Sequence, residues 1–413
     1  MVRNGATGAS QIVMLPFTNP SLVPPPVNTY PQFNDRIPTA ANGIFDLCAN
    51  PLFYIVGDEI FNGLGISKGN LRMKDRYIKW NDPFDPFDNP DPTPELTENF
   101  EAPIVKVPGT ANAGKYYCVY SDCRPFGSSV YIATYNSNNG LVTQPYEGST
   151  PTYSSPGNQV RLAISKPVID NFRDIYIVDI ENKIVRVRIN GSGQIGVATI
   201  VKAASAGIGD LSSELELSPD GKKLAWAVHV DNTAILHQYD LTTSQHLTIE
   251  LAPDACQKIA SLEYLLNGRL AIAATWNAPY TFLNGILVFD LAFQGANIIS
   301  NSANWQDAMI ELGYGNGGLL FANNGAQIIG INTATFTITS GYTITIASSY
   351  LSSPYASFPS SVSGALPDQI DGDFYVDPAD CPGGDPPTNR PIPGADTELD
   401  MYFQPVIHTT YTR

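Results

Sequence analysis

Short runs of β-branched and aromatic residues, joined in pairs by short turns, are the feature that most restricts the fold of this chain. Such pairs flank residues 180–183, 230–233 and 323–326. Runs of this kind predict strands, and their pairing across short loops predicts antiparallel hairpins. A Rossmann or TIM architecture would need crossover helices between strands, whereas the sequence favours a helix only at residues 303–312. We therefore expect an all-β fold.

The hairpins recur at a spacing that indicates a repeated unit. One apolar strand in each unit can be marked by Tyr54, Tyr117, Tyr176, Leu224, Leu270 and Ile328. These markers are 63, 59, 48, 46 and 58 residues apart, which is typical of propeller blades with about four strands each. With a further unit from residues 347–375, we expect a single β-propeller of six to eight four-stranded antiparallel blades, with seven favoured. Tandem β-sandwich domains are the alternative, but they would leave a clearer linker in mid-chain.

The negative charge of the chain is concentrated in two segments. The formal net charge is −16, from 39 acidic and 23 basic residues. Residues 82–101 hold seven acids and no base, and residues 365–400 hold nine acids and one base. Neither these segments nor the nearly neutral remainder offers the clustered Lys and Arg that nucleic-acid binding requires. We expect an extended N-terminal segment at 1–41, a propeller at 42–376 with an acidic insertion loop at 82–101, and a Pro/Gly-rich acidic tail or linker at 377–413.

The acidic insertion suggests a metal site. Asp82, Asp85, Asp88 and Asp91 recur at every third position, which in an extended polyproline-like chain aligns the carboxylates along one face. Such a face could hold Ca²⁺, which takes roughly six to eight oxygen ligands. A solvated insertion loop is the alternative, since the EF-hand spacing is absent. No other cofactor is predicted.

Two of the five cysteines lie close together in the sequence. Cys118 and Cys123 could form a disulfide that joins the end of a strand to its loop, as expected in an oxidising compartment. Two reduced thiols, with Cys118 buried in a strand, are the alternative. Zinc is disfavoured because the spacing is not Cys-x2-Cys.

Two glycine-containing motifs are interpreted as turns. Ser-Pro-Asp-Gly at 218–221 has the residue types that make a tight turn between strands. The G-x-G-x-x-G pattern at 191–196 follows a predicted strand, but another predicted strand comes after it. A phosphate cradle needs a helix N-terminus at that point, so this motif also predicts a hairpin turn.

No catalytic residue is predicted. The four histidines are not accompanied by a G-x-S-x-G or H-E-x-x-H motif. Paired carboxylates for glycoside hydrolysis can come from any part of a chain, so a polysaccharide hydrolase or lyase with its site in the central cleft stays open as the alternative function. No apolar run approaches the roughly 18 residues of a transmembrane helix, and residues 3–17 lack the pattern of a secretory signal. The composition favours a mature or trimmed form of an exported protein.

Three phrases in the sequence resemble the large propeller proteins that Bacteroidota export to their surfaces through the type IX secretion system. The strand phrase at 42–56, the Val-Pro-Gly turn and Tyr-Tyr strand at 102–120, and Ala-Leu-Pro-Asp-Gln-Ile-Asp-Gly at 365–372 occur in the same order as in that family. Together they span nearly the whole expected propeller. The second phrase lacks one proline of the family's turn, and the chain does not continue into the long repeats or C-terminal sorting domain that are usual there.

The resemblance implies a secreted or cell-surface binding or structural module in adhesion, gliding or an extracellular assembly. It places the protein outside the cell or on the outer-membrane surface. The few charged residues and the 21 tyrosines suit a protein interface, because Tyr buries a large area at low entropic cost. We expect another surface or secreted protein as the partner, with a glycan as the alternative.

Overall fold

The computed structural model describes twenty-eight strands in an almost entirely β chain. The described residues are 2–3, 10–11, 41–45, 51–56, 59–64, 66–71, 103–124, 127–143, 150–157, 159–165, 172–205, 209–231, 233–251, 256–265, 267–276, 285–290, 296–299, 311–315, 319–323 and 327–345. A two-stranded pair, β1 (Val2–Arg3) and β2 (Ser10–Gln11), lies near the N-terminus. One short 3-10 turn, Thr110–Asn112, is also present.

The other strands form six antiparallel sheets, I to VI, in chain order. Sheet I contains β3 (Ala41–Phe45), β4 (Pro51–Val56), β5 (Glu59–Asn62) and β6 (Ser67–Asn70). Sheet II contains β7 (Ile104–Lys106), β8 (Lys115–Arg124), β9 (Gly127–Asn136), β10 (Leu141–Thr143) and β11 (Tyr153–Ser155). Sheet III contains β12 (Val160–Ile164), β13 (Arg173–Asp179), β14 (Ile184–Ile189) and β15 (Thr199–Lys202).

Sheets IV to VI repeat this plan. Sheet IV contains β16 (Asp210–Leu211), β17 (Glu216–Leu217), β18 (Lys223–Val230), β19 (Thr233–Asp240) and β20 (His246–Leu251). Sheet V contains β21 (Cys256–Tyr264), β22 (Leu270–Trp276), β23 (Gly285–Phe289) and β24 (Ala296–Ile299). Sheet VI contains β25 (Glu311–Gly315), β26 (Leu319–Asn323), β27 (Gln327–Asn332) and β28 (Thr337–Thr345).

Each sheet packs face to face on the next one along the chain. Separate apolar clusters lie between sheets I and II, II and III, III and IV, IV and V, and V and VI. In β13, Ile175 and Ile177 pack towards sheet II, whereas Tyr176 and Val178 pack towards sheet IV. Alternate side chains point to opposite faces of a strand, so the middle of a strand packed between two neighbouring sheets is apolar on both faces. Burying a side chain such as Ile177 fully contributes about 1.5–3 kcal/mol.

Burial also falls from the first strand of a sheet to the last. All five residues of β12 are buried, whereas no residue of β15 is. Sheets with a buried first strand and an exposed last strand, stacked face to face in chain order, form a β-propeller. The predicted fold class is confirmed.

Three details differ from the expectation or fall outside what the structure describes. Residues 311–312, expected at the end of a helix, lie in β25, because their backbones pair with β26. Ile328, the sequence marker of its repeat unit, lies on the third strand of sheet VI, β27, and not on the second strand, β26. The six sheets are those of the described residues, and residues 347–375, where a seventh blade is expected, lie outside them.

Candidate functional site

The first strand of sheet IV is interrupted between β16 and β17, and residues at this break form hydrogen bonds with sheet III. Between β16 and β17, the Ser213 hydroxyl accepts a hydrogen bond from Ala227 N at 2.9 Å, in place of a backbone carbonyl. The carbonyls of Leu211 and Ser213 accept hydrogen bonds from the Arg161 guanidinium at 2.7 and 3.0 Å. Arg161 is buried on β12, so its charged group joins the inner strands of two blades.

A second polar link continues from sheet IV to sheets V and VI. The Glu214 Oε1 atom accepts hydrogen bonds from Ser261 Oγ at 2.5 Å and from Leu262 N at 2.6 Å. Ser261 Oγ in turn accepts a hydrogen bond from Leu312 N at 3.0 Å. Burial raises the pKa of Glu214 to about 7, although these hydrogen bonds and the charge of Arg161 act in the opposite direction. The hydrogen bonds of Arg161 and Glu214 thus join the inner strands of neighbouring sheets.

Two histidines and a tryptophan share one face of sheet IV. Trp226 and His237 are directly opposite each other on β18 and β19, and their rings are nearly parallel, with centroids 5.0 Å apart. His237 Nδ1 lies 3.0 Å from His246 Nε2. One nitrogen must donate and the other accept, so the ring that accepts must be neutral and the contact cannot form between two protonated rings. Burial lowers the pKa of His237 to about 3 and that of His246 to about 4, and the charge of Lys202 acts in the same direction.

This histidine pair predicts a loss of stability in acid. In the unfolded chain both rings take up a proton near pH 6.5, but in the folded chain only near pH 4 and below. The unfolded state therefore binds more protons between these values, so stability is complete above pH 6.5 and falls as the pH drops towards 4. Urea unfolding between pH 4 and 7 should show a weaker dependence on pH in His246→Gln than in the wild type. Parallel curves for the two proteins would contradict the assignment.

The outer edge of the propeller carries the exposed apolar side chains. Seven large apolar residues in the described part of the chain are exposed: Leu64, Ile66, Leu141, Ile195, Val197, Ile200 and Leu247. Each lies on the outer edge strand of sheet I, II, III or IV or in the turn that leads into it. Three of them belong to sheet III, where Val197 is 87% exposed and Ile200 is 69% exposed. The last strand of sheet III is therefore the most apolar edge among these four sheets.

Of the predicted sites, the cysteine pair is corrected by the structure. Cys118 and Cys123 lie on the same continuous strand, β8, where they pair with Ala133 and Ser128 of β9. Five residues of extended strand span about 16 Å, far more than the roughly 7 Å that a disulfide can bridge. The structure accordingly shows a free, buried thiol at Cys118. Burial raises the pKa of this thiol, which makes it unreactive.

The predicted metal ligands Asp82, Asp85, Asp88 and Asp91 lie outside the described residues. Among the residues that are described, His, Cys, Asp and Glu do not come together in groups of three or more that could hold a metal ion. The described part also contains no helix long and apolar enough to cross a membrane.

Both glycine motifs are turns, as predicted. In the 218–221 turn, Gly221 N donates to Ser218 O at 2.7 Å, and Gly221 has a φ of 69°. In the 190–194 turn, Gly193 N donates to Asn190 O at 2.8 Å. The second turn also packs on sheet II, because Gly193 O accepts a hydrogen bond from Tyr117 at 2.6 Å.

Sequence patterns could not reveal the two polar links or the histidine pair. Arg161 and the carbonyls that it binds are about 50 residues apart, and their contact depends on an interrupted strand. The apolar run at residues 195–201 can be recognised in the sequence, but a run of this kind is equally consistent with a buried strand and with an exposed edge strand. Its position at the outer edge of a blade became evident only in the folded chain.

Comparisons with known proteins bear on the fold. No protein-family model and no curated protein sequence matches the chain. Similar solved structures include the Dos1 propeller, at 9% identity with a TM-score of 0.40, covering 72% of this chain and 68% of that one. A nidogen/laminin complex has 12% identity and a TM-score of 0.37, covering 57% of this chain and 78% of that one. A protein of unknown function from Bacteroides caccae has 11% identity and a TM-score of 0.30, covering 54% of this chain and 75% of that one. At these values, the fold assignment rests on the sheet order and packing of the chain itself.

Proposed function

We propose that this chain is a non-catalytic, protein-binding β-propeller that binds its partner at the outer edge of the blades. The observation that carries the proposal is the position of the exposed apolar side chains, which in the described residues lie on the outer edge strands of sheets I to IV and the turns before them. Exposed apolar side chains that lie close together mark interaction sites, and three of the seven lie between Ile195 and Ile200. The rigid, doubly packed sheets hold this edge in a fixed geometry, so little ordering is needed on binding.

The proposal extends to location and biological role. The protein acts outside the cell or on the outer-membrane surface, in adhesion, gliding or an extracellular assembly, and its partner is another surface or secreted protein. Support comes from the resemblance of residues 42–56, 102–120 and 365–372 to exported Bacteroidota propellers. Export through the type IX system is part of this proposal.

Site-specific crosslinking tests the proposed surface. A photoreactive amino acid would be placed at Leu141, Ile200 or Leu247 on the outer strands, and at Lys222 or Asp231 in exposed turns as matched controls. After illumination with a cell-envelope fraction, we expect a discrete protein adduct from the outer-strand positions and none from the turns.

Two results would contradict the proposal. Adducts that form only at Lys222 or Asp231 would place the binding surface on the loops of the ring. Turnover of a polysaccharide by the purified protein, without any protein adduct, would favour the hydrolase or lyase alternative.

A further inference from the structure

Among the described residues, sheet III ends in a strand that has a neighbouring strand on one side only. β15 is the last strand in its sheet and pairs with β14. The chain before β15 follows the same edge, because Ile195 forms a bridge with Ile189 and Gly196 N donates to Arg188 O at 2.7 Å. The free edge therefore extends from Ile195 to Lys202.

Most of the features that usually prevent strand pairing are not found in the described residues of this edge; the exception is a register shift in the β14–β15 pairing, between Ile184 and Val185. Natural edge strands are protected by charged side chains, proline, bulges or a covering segment. Two other edge strands have such protection: β20 carries an exposed glutamate, Glu250, and β6 lies against β10 of the next sheet. In β15 the only charged side chain is Lys202, whose Nζ atom donates to Asn182 O at 2.7 Å and to Ser205 Oγ at 3.2 Å. Lys202 is thus held against sheet III rather than across the edge.

The outer half of sheet III is also basic, in a chain with a net charge of −16. Strands β14 and β15 contain Arg186, Arg188 and Lys202 and no acidic residue. Arg188 is neutralised by Asp174, with two hydrogen bonds of 2.7 and 2.8 Å. Arg186 Nε, in contrast, is buried and has no hydrogen-bond partner among the described residues. The positive charge of Arg186 would favour an acidic group of a partner on this side of the edge.

The two faces of the edge differ in chemistry. Ala198 packs towards sheet II, and Ile200 has the same orientation because side chains alternate along a strand. Val201 packs towards sheet IV, and Thr199 shares that face and pairs with Arg186. A strand added to this edge would therefore present alternate residues to an apolar side and to a basic side.

We propose, on the basis of the function proposed above, that the β15 edge binds an extended acidic segment of a partner protein by strand addition. The backbone of the segment pairs with residues 195–202. Apolar side chains of the segment lie beside Ala198 and Ile200, and alternate acidic side chains lie on the side of Thr199 and Arg186. Main-chain hydrogen bonds supply affinity in this mode, and the alternating side chains supply specificity.

Peptide binding tests this proposal. The probes are two fluorescent ten-residue peptides, one of alternating Val and Glu and the other of alternating Val and Lys, measured by anisotropy with the full chain. We expect the Val–Glu peptide to bind at least about tenfold more tightly than the Val–Lys peptide. Ile200→Ser should weaken Val–Glu binding by about tenfold, because an exposed apolar contact is removed. Arg186→Gln should reduce the preference for the acidic peptide.

Gln245→Ser, in the exposed turn before β20, is the control outside the proposed surface, with an expected change of less than about twofold. Circular dichroism and thermal unfolding of each variant would establish that it folds. Equal affinity for both peptides, or an Ile200→Ser variant that binds normally, would overturn the proposal. Concentration-dependent dimerisation that Ile200→Ser abolishes would overturn it too, since a second copy would then occupy the edge. If crosslinking occurs at the outer strands while neither peptide binds, the protein-binding function stands and strand addition fails.

Discussion

Replacing Arg161 by Met is expected to lower the free energy of unfolding by about 3 kcal/mol. Methionine fills much of the volume of the buried side chain but has no donor. The carbonyls of Val160, Leu211 and Ser213, which all accept hydrogen bonds from the guanidinium, would then lose a buried partner. Each buried acceptor left without a partner costs about 1–3 kcal/mol.

Urea unfolding followed by tryptophan fluorescence measures this effect. Lys222→Met is the matched control, since its ammonium group lies 3.5 Å from Asp220 in a pair whose side chains are 58% and 54% exposed. Exposed pairs of this kind contribute at most about 1 kcal/mol. An Arg161→Met variant as stable as the control would show that the interrupted strand does not depend on this link.

Replacing Glu214 by Gln is expected to stabilise the protein above pH 7 by up to about 3 kcal/mol. Burial raises the pKa of Glu214 from 4.5 to about 7. Between these values the folded state binds more protons than the unfolded state, so the contribution of this group is complete below pH 4.5 and is lost as the pH rises through 7. Glutamine stays neutral, and its Oε1 atom can still accept the hydrogen bonds from Ser261 and Leu262.

The measurement is the difference in unfolding free energy between Glu214→Gln and the wild type from pH 4.5 to 8. The histidine pair has the opposite pH dependence and is present in both proteins, so it cancels in the difference. A difference that grows as the pH rises supports the assignment. A constant difference would mean that folding does not change the pKa of the Glu214 carboxyl.

The fold was largely predictable because its local signals agree with one another. The strands expected at 184–189 and 223–229 are observed as Ile184–Ile189 and Lys223–Val230. Turn chemistry at 218–221 fixed the hairpin between β17 and β18, since Gly221 adopts a positive φ. Hairpins of this kind depend on neighbouring residues, so a single sequence contains the information that specifies them.

The candidate site was not predictable, because its contacts join distant segments. The exposure of Ile200 depends on β15 being the last strand of its blade, a property of the assembled sheet. The pairing of Arg188 with Asp174, which leaves Arg186 without that partner, likewise depends on the register of β13 and β14. Cys118 and Cys123 are the opposite case. They are close in the sequence, which suggested a disulfide, but the extended strand that contains both keeps them too far apart.

Hydrogen exchange with and without the crosslinked partner shows whether the partner binds at the outer edge of sheet III. We expect partner binding to slow amide exchange at residues 195–202 by at least about tenfold, with no change in the turns at 218–221 and 240–245. Protection of those turns, with the 195–202 amides unchanged, would contradict binding at the outer edge of sheet III.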